Sequence, residues 1–277
     1  MSLIAGSPRP HGSSNNQKKY PGRMPRRTET VPGCTSPPYP TRQHTAIGIS
    51  GGVQAAMSHD RFEEALSLER FGRYLDWAGG DRSRAIALYG CNTHLSESLY
   101  APLQTLEVAL RNRIHTVLTQ AKGEAWYGRG AGALKVAHQL EQVAKAVNEL
   151  VRAGKTVTAG GVVASLTFSF WTTMFNKDYE ALWQQILHRI ADPSAPRGLK
   201  RRSFSGPLTR IRVLRNRIAH HEPILGWNLR RHHDEILMLI EWLSPPAATW
   251  CRENNRFPQA YPEDGITLVC SSESNRH

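Results

Sequence analysis

The sequence predicts an all-α protein, a helical bundle preceded by a long N-terminal tail. Three observations support this prediction. Apolar residues recur at steps of three and four through much of residues 58–253, strand-like alternation is almost absent, and residues 1–57 show no apolar periodicity. With 277 residues, the chain is also long enough to bury a substantial core.

Both ends of the chain differ in composition from the predicted bundle. Residues 1–57 are rich in Pro, Gly, Ser, Thr and Arg, and carry seven basic side chains against one acidic one. Such a segment buries too little apolar surface to offset its ordering entropy, so we expect a disordered basic tail. Residues 254–277 are polar, and we expect them to form a loose C-terminal tail.

The first half of the predicted bundle contains two helical stretches. The earlier one begins near Phe62 and is ended by Gly79-Gly80. Asp81 is the predicted N-cap of a long stretch that reaches Leu118, within which Pro102 should kink or break the helix. Its second half carries a clean apolar stripe at helical spacing, formed by Leu103, Leu106, Leu110, Ile114 and Val117.

The second half of the bundle is predicted to contain several further helical segments. A helix over residues 134–153 is ended by Gly154, and a buried apolar segment follows at residues 156–176. Further helices are predicted at residues 177–191, at 208–221 after a proline-containing link, and at 229–243 before two prolines. We expect Trp171, Phe175 and Trp183 to lie in the core.

The formal net charge of +12 is unevenly distributed. Residues 197–233 hold ten basic side chains, and only Glu222 opposes them within that stretch. Such local asymmetry suits a polyanion such as nucleic acid, although a solvated charged face would show the same pattern.

Several functional classes are disfavoured by the sequence. The four cysteines form no Cys-x-x-Cys pair, and the histidines and acidic residues between positions 220 and 234 lack the spacing of a zinc-binding helix. We therefore expect no metal and no cofactor. No apolar run is long enough for a membrane span and no secretory signal is evident, so we expect a cytoplasmic protein.

The predicted helix at residues 208–221 carries the residues best suited to chemistry. Leu208, Ile211, Leu214 and Ile218 form its apolar stripe, with Arg215 at the edge of that stripe. Arg212, Asn216 and His220 follow one another at steps of four on the adjacent face, where mixed charge would be usual.

These residue types suit the cleavage of RNA without a metal ion. A histidine can accept the proton of a 2′-hydroxyl that attacks the neighbouring phosphate, and an arginine can stabilise the charge that develops on the phosphoryl oxygens. The alternative is that Arg215 and Asn216 only brace a contact between helices.

The string LRNRIAHHEPI, residues 214–224, resembles the signature of the Abi-like (abortive-infection) proteins, a branch of the HEPN superfamily. HEPN proteins share an Arg-x4–6-His motif, often with Asn after the Arg, which Arg215, Asn216 and His220 match. The strings LYGCNTHLSESLYAPLQTLEVALRNRIH, SLTFSFWTTMF and WLSP resemble further parts of the family, so that the resemblance covers about residues 62–250.

The resemblance implies a HEPN-like helical bundle that forms a homodimer, with the two motif helices meeting at a composite site. It implies a metal-independent endoribonuclease of phage defence or of a toxin–antitoxin system, with RNA as substrate and an antitoxin as a further candidate partner. Arg215, Asn216 and His220 are then the catalytic residues. Other candidates for supporting them or binding RNA are Glu107, Arg111, Arg212, Arg217, His221 and Glu222.

Two alternatives remain open from the sequence. Some superfamily members are inactive, so the alternative prediction is a non-catalytic RNA- or nucleotide-binding module, or a structural one. Glu107, Arg111 and His115 follow one another at steps of four, and a simple intrahelical ion pair would explain the first two.

Overall fold

The computed structural model describes residues 63–269, so the predicted N-terminal tail, residues 1–57, lies outside the described residues. Every regular element between residues 63 and 269 is helical and no strand occurs there, which confirms the all-α prediction. None of the helices in this range is both long and apolar enough to cross a membrane.

Three short 3-10 turns, Arg129–Ala131, Lys177–Tyr179 and Leu187–Ile190, accompany the α-helices. In chain order the α-helices are α1 (Leu68–Trp77), α2 (Arg82–Ser98), α3 (Tyr100–Lys122), α4 (Ala137–Arg152), α5 (Ala159–Ser165), α6 (Phe168–Thr173), α7 (Glu180–Gln185), α8 (Arg201–Ala219), α9 (Leu229–Leu243), α10 (Pro245–Glu253) and α11 (Phe257–Ala260).

The boundary between α2 and α3 lies close to where the sequence predicts it. The side chain of Asp81 accepts a hydrogen bond from the amide of Arg84 at 3.0 Å and so caps the start of α2, as predicted. The helical stretch breaks at Leu99, and Pro102 then occupies the first turn of α3. A proline is tolerated there because its missing N–H would have no partner inside the helix.

Helix α3 lies at the centre of the core. It packs against α9, α10 and the turn Leu187–Ile190, and its predicted apolar stripe is fully buried. The apolar segment around α6 is buried as well, and Trp171, Phe175 and Trp183 lie in the core as predicted. Helices α8 and α9 pack against each other beside this core.

Helix α8 begins at Arg201, seven residues before the predicted start at Leu208. The prediction placed the start after Pro207, but this proline lies inside the helix. The residue before a proline normally resists helical geometry because of a clash with its Cβ, and here that residue is Gly206, which has none.

Residues 177–191 form the short helix α7 between two 3-10 turns instead of the single predicted helix. Helix α7 ends at Ile186, whose φ of −135° is not helical. The imidazole of His188 lies 3.1 Å from the carbonyl oxygen of Trp183 and hydrogen-bonds this helix end. Such a local bond between side chain and backbone competes with helix continuation.

The structure places residues 254–269, which the sequence analysis assigned to a loose tail, against the helical domain. Asn255 and Phe257 are buried, and the Phe257 ring stacks on His233 with 4.5 Å between ring centroids. The amide of Val269 donates to the carbonyl oxygen of Trp77 at 2.9 Å. The Phe257 stacking and the Val269 hydrogen bond hold this segment against the domain, and the polar composition of the segment gives no sign of either contact.

Candidate functional site

The end of α8 forms a tight turn at two adjacent histidines. The amide of Glu222 donates to the carbonyl oxygen of Arg217 at 2.8 Å, and that of His221 donates to Ile218 at 3.1 Å. These bonds form a Schellman motif, with His220 as C-cap and His221 in the left-handed conformation at φ 57°. Glycine is the usual residue at this position, because a Cβ disfavours it.

The loop after this turn is anchored to two parts of the fold. The amide of Ile224 donates to the buried side chain of Asn92 on α2 at 2.7 Å. The guanidinium of Arg217 donates to the carbonyl oxygen of Pro223 at 2.9 Å and lies over the Trp227 ring. These contacts fix the position of the two histidines relative to α2.

A cleft of about 1150 Å³ lies between the end of α8, the end of α2, the first half of α3 and the segment after α10. Arg215 and His221 contribute to it from α8 and the turn that follows, and Glu107 and Arg111 contribute from α3. Other charged, amide or aromatic residues of the lining are His94, Glu97, Tyr100, Gln104, Asn254 and Arg256, and Thr93, Ser96 and Ser98 add hydroxyl groups.

The guanidinium of Arg215 pairs with the carboxylate of Glu107 inside this cleft, at 3.6 Å. The side chains keep 38% and 22% of their exposure, so solvent reaches both groups. Glu107 is predicted from the sequence as a candidate for supporting the motif, and in the structure it lies beside Arg215. The pair is open enough for a ligand phosphate to compete for the guanidinium.

Arg111 is the second arginine of α3 in the cleft. Its Nε atom is buried and has no hydrogen-bond partner among the described residues. With Arg256 added, three arginines face two glutamates, Glu97 and Glu107, in the lining. The cleft is therefore slightly cationic before its two histidines are counted.

Asn216 and His220 do not line the cleft. Both are exposed, and they share the outer face of α8 with Thr209 and Val213, at steps of four and three along the helix. At 100° per residue this outer face is centred roughly 130° from Arg215. A single chain therefore places the three motif residues on two different surfaces.

The remaining candidates have partners within the fold. Arg212 is half-buried, with one Nη atom 3.5 Å from the hydroxyl of Ser169. Arg217 lies 3.4 Å from Glu222, so these two residues brace the turn. His115 accepts a hydrogen bond from the Trp126 indole at 3.0 Å, which explains it as a structural residue of α3.

The basic stretch at residues 197–233 is less cationic in the fold than in the sequence. Glu180 pairs with Arg201 at 2.6 Å, and Glu235 holds both Arg210 and Arg231, at 2.6 and 3.1 Å. Burial raises the pKa of Glu235, but hydrogen bonds from the two arginines outweigh it and hold the pKa below its ordinary value. Acids from other segments thus neutralise part of the predicted patch.

The histidines that suggested a metal site in the sequence are dispersed. His232 and His233 are buried, His232 against the carbonyl oxygen of Asn228 and His233 against the amide of Asn255. Among the described residues, no group of three or more His, Cys, Asp and Glu side chains is arranged to hold a metal ion.

Six charged, amide or aromatic lining residues were not predicted as site residues, namely His94, Glu97, Tyr100, Gln104, Asn254 and Arg256. They come from α2, from α3 and from the segment after α10, and no spacing of chemical groups in the sequence identifies them. Comparison of the chain with models of protein families, with curated proteins and with solved structures gives no match.

Proposed function

We propose that the protein is a metal-independent endoribonuclease of the HEPN type, of the Abi-like branch, that acts in abortive infection or a toxin–antitoxin system of phage defence. The observation that carries this proposal is the position of Arg215, at a solvent-open, slightly cationic cleft beside a helix end that presents two histidines. The Arg-x4-His spacing in the sequence identifies this arginine and a histidine of the helix end as candidates for the chemistry.

The cleft has properties that suit a single RNA strand. Its arginines can bind a phosphate through the two-pronged guanidinium fork, which does not titrate near neutral pH. Tyr100, 66% exposed at the cleft, offers a ring on which an unpaired base can stack. The chemistry that we propose uses the side chains of these residues alone.

The reaction we propose is an intramolecular phosphoryl transfer. The 2′-oxygen attacks the adjacent phosphorus while a histidine takes the 2′-hydroxyl proton. The motif identifies His220 as this histidine. The bond between O2′ and phosphorus forms, the bond between phosphorus and O5′ breaks, and the 5′-oxygen receives a proton. Arg215 stabilises the charge on the phosphoryl oxygens, and the products are a 2′,3′-cyclic phosphate and a 5′-hydroxyl.

The exposed position of His220 on the outer face of α8 supports a two-chain site. Val213 lies on the same face and is 43% exposed, an apolar side chain that a second copy would cover. Pairing of two chains through this face would bring two motif helices side by side. We therefore propose a homodimer whose site draws on both chains.

The test is cleavage of a labelled single-stranded RNA by the purified full chain in excess EDTA. We expect a 2′,3′-cyclic phosphate product, and a DNA strand of the same sequence should remain intact because it lacks the attacking 2′-hydroxyl. Cleavage that EDTA abolishes, or equal cutting of the DNA strand, would contradict the proposal. A comparison of cells that express the wild type with cells that express His220→Ala tests whether the protein is toxic and whether the toxicity depends on His220.

The second candidate function is a non-catalytic RNA- or nucleotide-binding module. It is favoured by the observation that Asn216 and His220 lie outside the cleft that contains Arg215 in one chain. This candidate predicts salt-dependent RNA binding through the same arginines, with no cleavage at any protein concentration.

A further inference from the structure

His221 differs from its neighbour His220 in the surface that it reaches. His221 lines the cleft with Arg215, Glu107 and Arg111, whereas His220 lies on the outer face of α8. The divergence follows from the backbone, because His220 has φ −94° and His221 has φ 57°. Two adjacent histidines therefore serve two surfaces.

The conformation of His221 carries a second indication. Among the described residues other than glycine, only Ser67 and His221 have positive φ. The turn itself needs no side chain at this position, and a glycine would form it with less strain. An imidazole held in an unfavourable backbone conformation at the edge of a cleft is the kind of outlier from which function can be inferred.

The imidazole of His221 is also chemically available. It makes no hydrogen bond or ion pair with another described residue, and the side chain is exposed. The bond from the amide of Ile224 to Asn92 anchors the following loop to α2, which also contributes residues to the cleft. The group is thus both positioned and free to transfer a proton.

We infer that His221 is the histidine that contacts the phosphate bound at Arg215 in the same chain, and that it is the general acid of the cleavage reaction. This inference rests on the proposed ribonuclease function. The imidazolium of His221 gives its proton to the 5′-oxygen as the bond between phosphorus and O5′ breaks. The proton of the 2′-hydroxyl goes to the base, so that no co-reactant is required.

The variant that tests the role is His221→Gly, because glycine suits the left-handed turn. We expect its thermal unfolding midpoint to equal or exceed that of the wild type, while RNA cleavage falls at least about a hundredfold. A substrate in which sulfur replaces the 5′-oxygen has a leaving group that needs no proton. It should restore near-wild-type cleavage to His221→Gly and leave His220→Ala impaired.

Contact with the phosphate is tested separately by NMR of the imidazole C–H signals in the wild-type protein. A 2′-deoxy oligonucleotide, which cannot be cleaved, should shift the signals of His221 and leave those of the exposed His138 unchanged. The signal that disappears in each of the variants His221→Gly, His220→Ala and His138→Gln assigns that histidine. Absence of a shift at His221 would overturn the inference.

The two measurements also separate this inference from the proposed function. If the wild type cleaves RNA and His221→Gly cleaves it equally well, or is not rescued by the sulfur substrate, the acid role is wrong. If the wild type does not cleave RNA at all, the proposed function and the acid role fail together. A shift at His221 would then still establish the contact with phosphate.

Discussion

The guanidinium of Arg215 on α8 lies 3.6 Å from the carboxylate of Glu107 on α3. This pair joins the motif helix to the central helix of the core inside the cleft. Glu107 holds the arginine in place, and its negative charge also opposes the approach of a phosphate. The two effects have opposite consequences for RNA binding and for cleavage.

The substitution Glu107→Gln separates these effects. We expect tighter binding of a 2′-deoxy oligonucleotide, by up to about fivefold, because a partly exposed ion pair contributes at most about 1 kcal/mol. We expect slower RNA cleavage, because a neutral amide holds Arg215 less firmly. Titration and single-turnover kinetics measure the two quantities. Unchanged binding and unchanged cleavage would show that the pair has no part in the site.

Arg215 is predicted to be the phosphate-binding group. Arg215→Ala should slow cleavage at least about a hundredfold, and Arg215→Lys should restore only part of the loss, because an ammonium group keeps the charge without the planar fork. The thermal unfolding midpoint should change little, since the side chain is 38% exposed. Arg202→Ala, an exposed arginine at the other end of α8, is the matched control.

The sequence predicts those features of the fold that depend on local pattern. The apolar stripe of α3, the cap at Asp81 and the bounds of α9 follow from spacing and capping. The predicted start of α8 was wrong because Gly206 has no Cβ to clash with the ring of Pro207, so the helix continues through both residues. A rule about proline that ignores the preceding residue cannot anticipate this outcome.

The site was predictable where spacing along a single helix identifies its residues. Arg215 and both histidines lie close together in the chain, so the motif identifies them, and Glu107 and Arg111 on α3 were found by their own spacing. Arg256 reaches the same cleft because Phe257 and Asn255 anchor the segment after α10, a tertiary event with no local signature. The pairing of Glu180 with Arg201 and of Glu235 with Arg210 was missed for the same reason, because each pair joins distant parts of the chain.

The dimer proposal predicts the effect of a charge on the outer face of α8. Val213→Glu should shift the protein towards a monomer, because two copies would place like charges in an apolar contact. Val151→Glu is the matched control, since Val151 is also an exposed valine and lies on a different helix, α4. Light scattering at micromolar concentration measures the mass of each variant.

The rate of RNA cleavage should fall together with the dimeric fraction of the protein if the site draws on two chains. A wild-type protein that is strictly monomeric and still cleaves RNA would contradict the composite site. A Val213→Glu dimer with full activity would instead place the interface on another surface.

His233 predicts a dependence of stability on pH. Burial lowers its pKa below the ordinary 6.5, and this effect outweighs the influence of Asp234 and Asn255, which raise the pKa. The ring stacks on Phe257, and its Nε2 lies 2.6 Å from the amide nitrogen of Asn255. These contacts keep the ring away from water, and this burial is what favours the neutral imidazole in the folded state.

Since the unfolded chain then binds the proton more readily than the folded one, stability is full above pH 6.5 and declines as the pH falls towards the folded pKa. The contribution of one such group changes by at most about 1.4 kcal/mol per pH unit. Urea unfolding between pH 7.5 and 5 measures the slope, and His233→Gln should reduce it because glutamine does not titrate in this range. His138→Gln, at an exposed site, should keep the wild-type slope. An equal slope in His233→Gln and the wild type would assign the loss of stability to other groups.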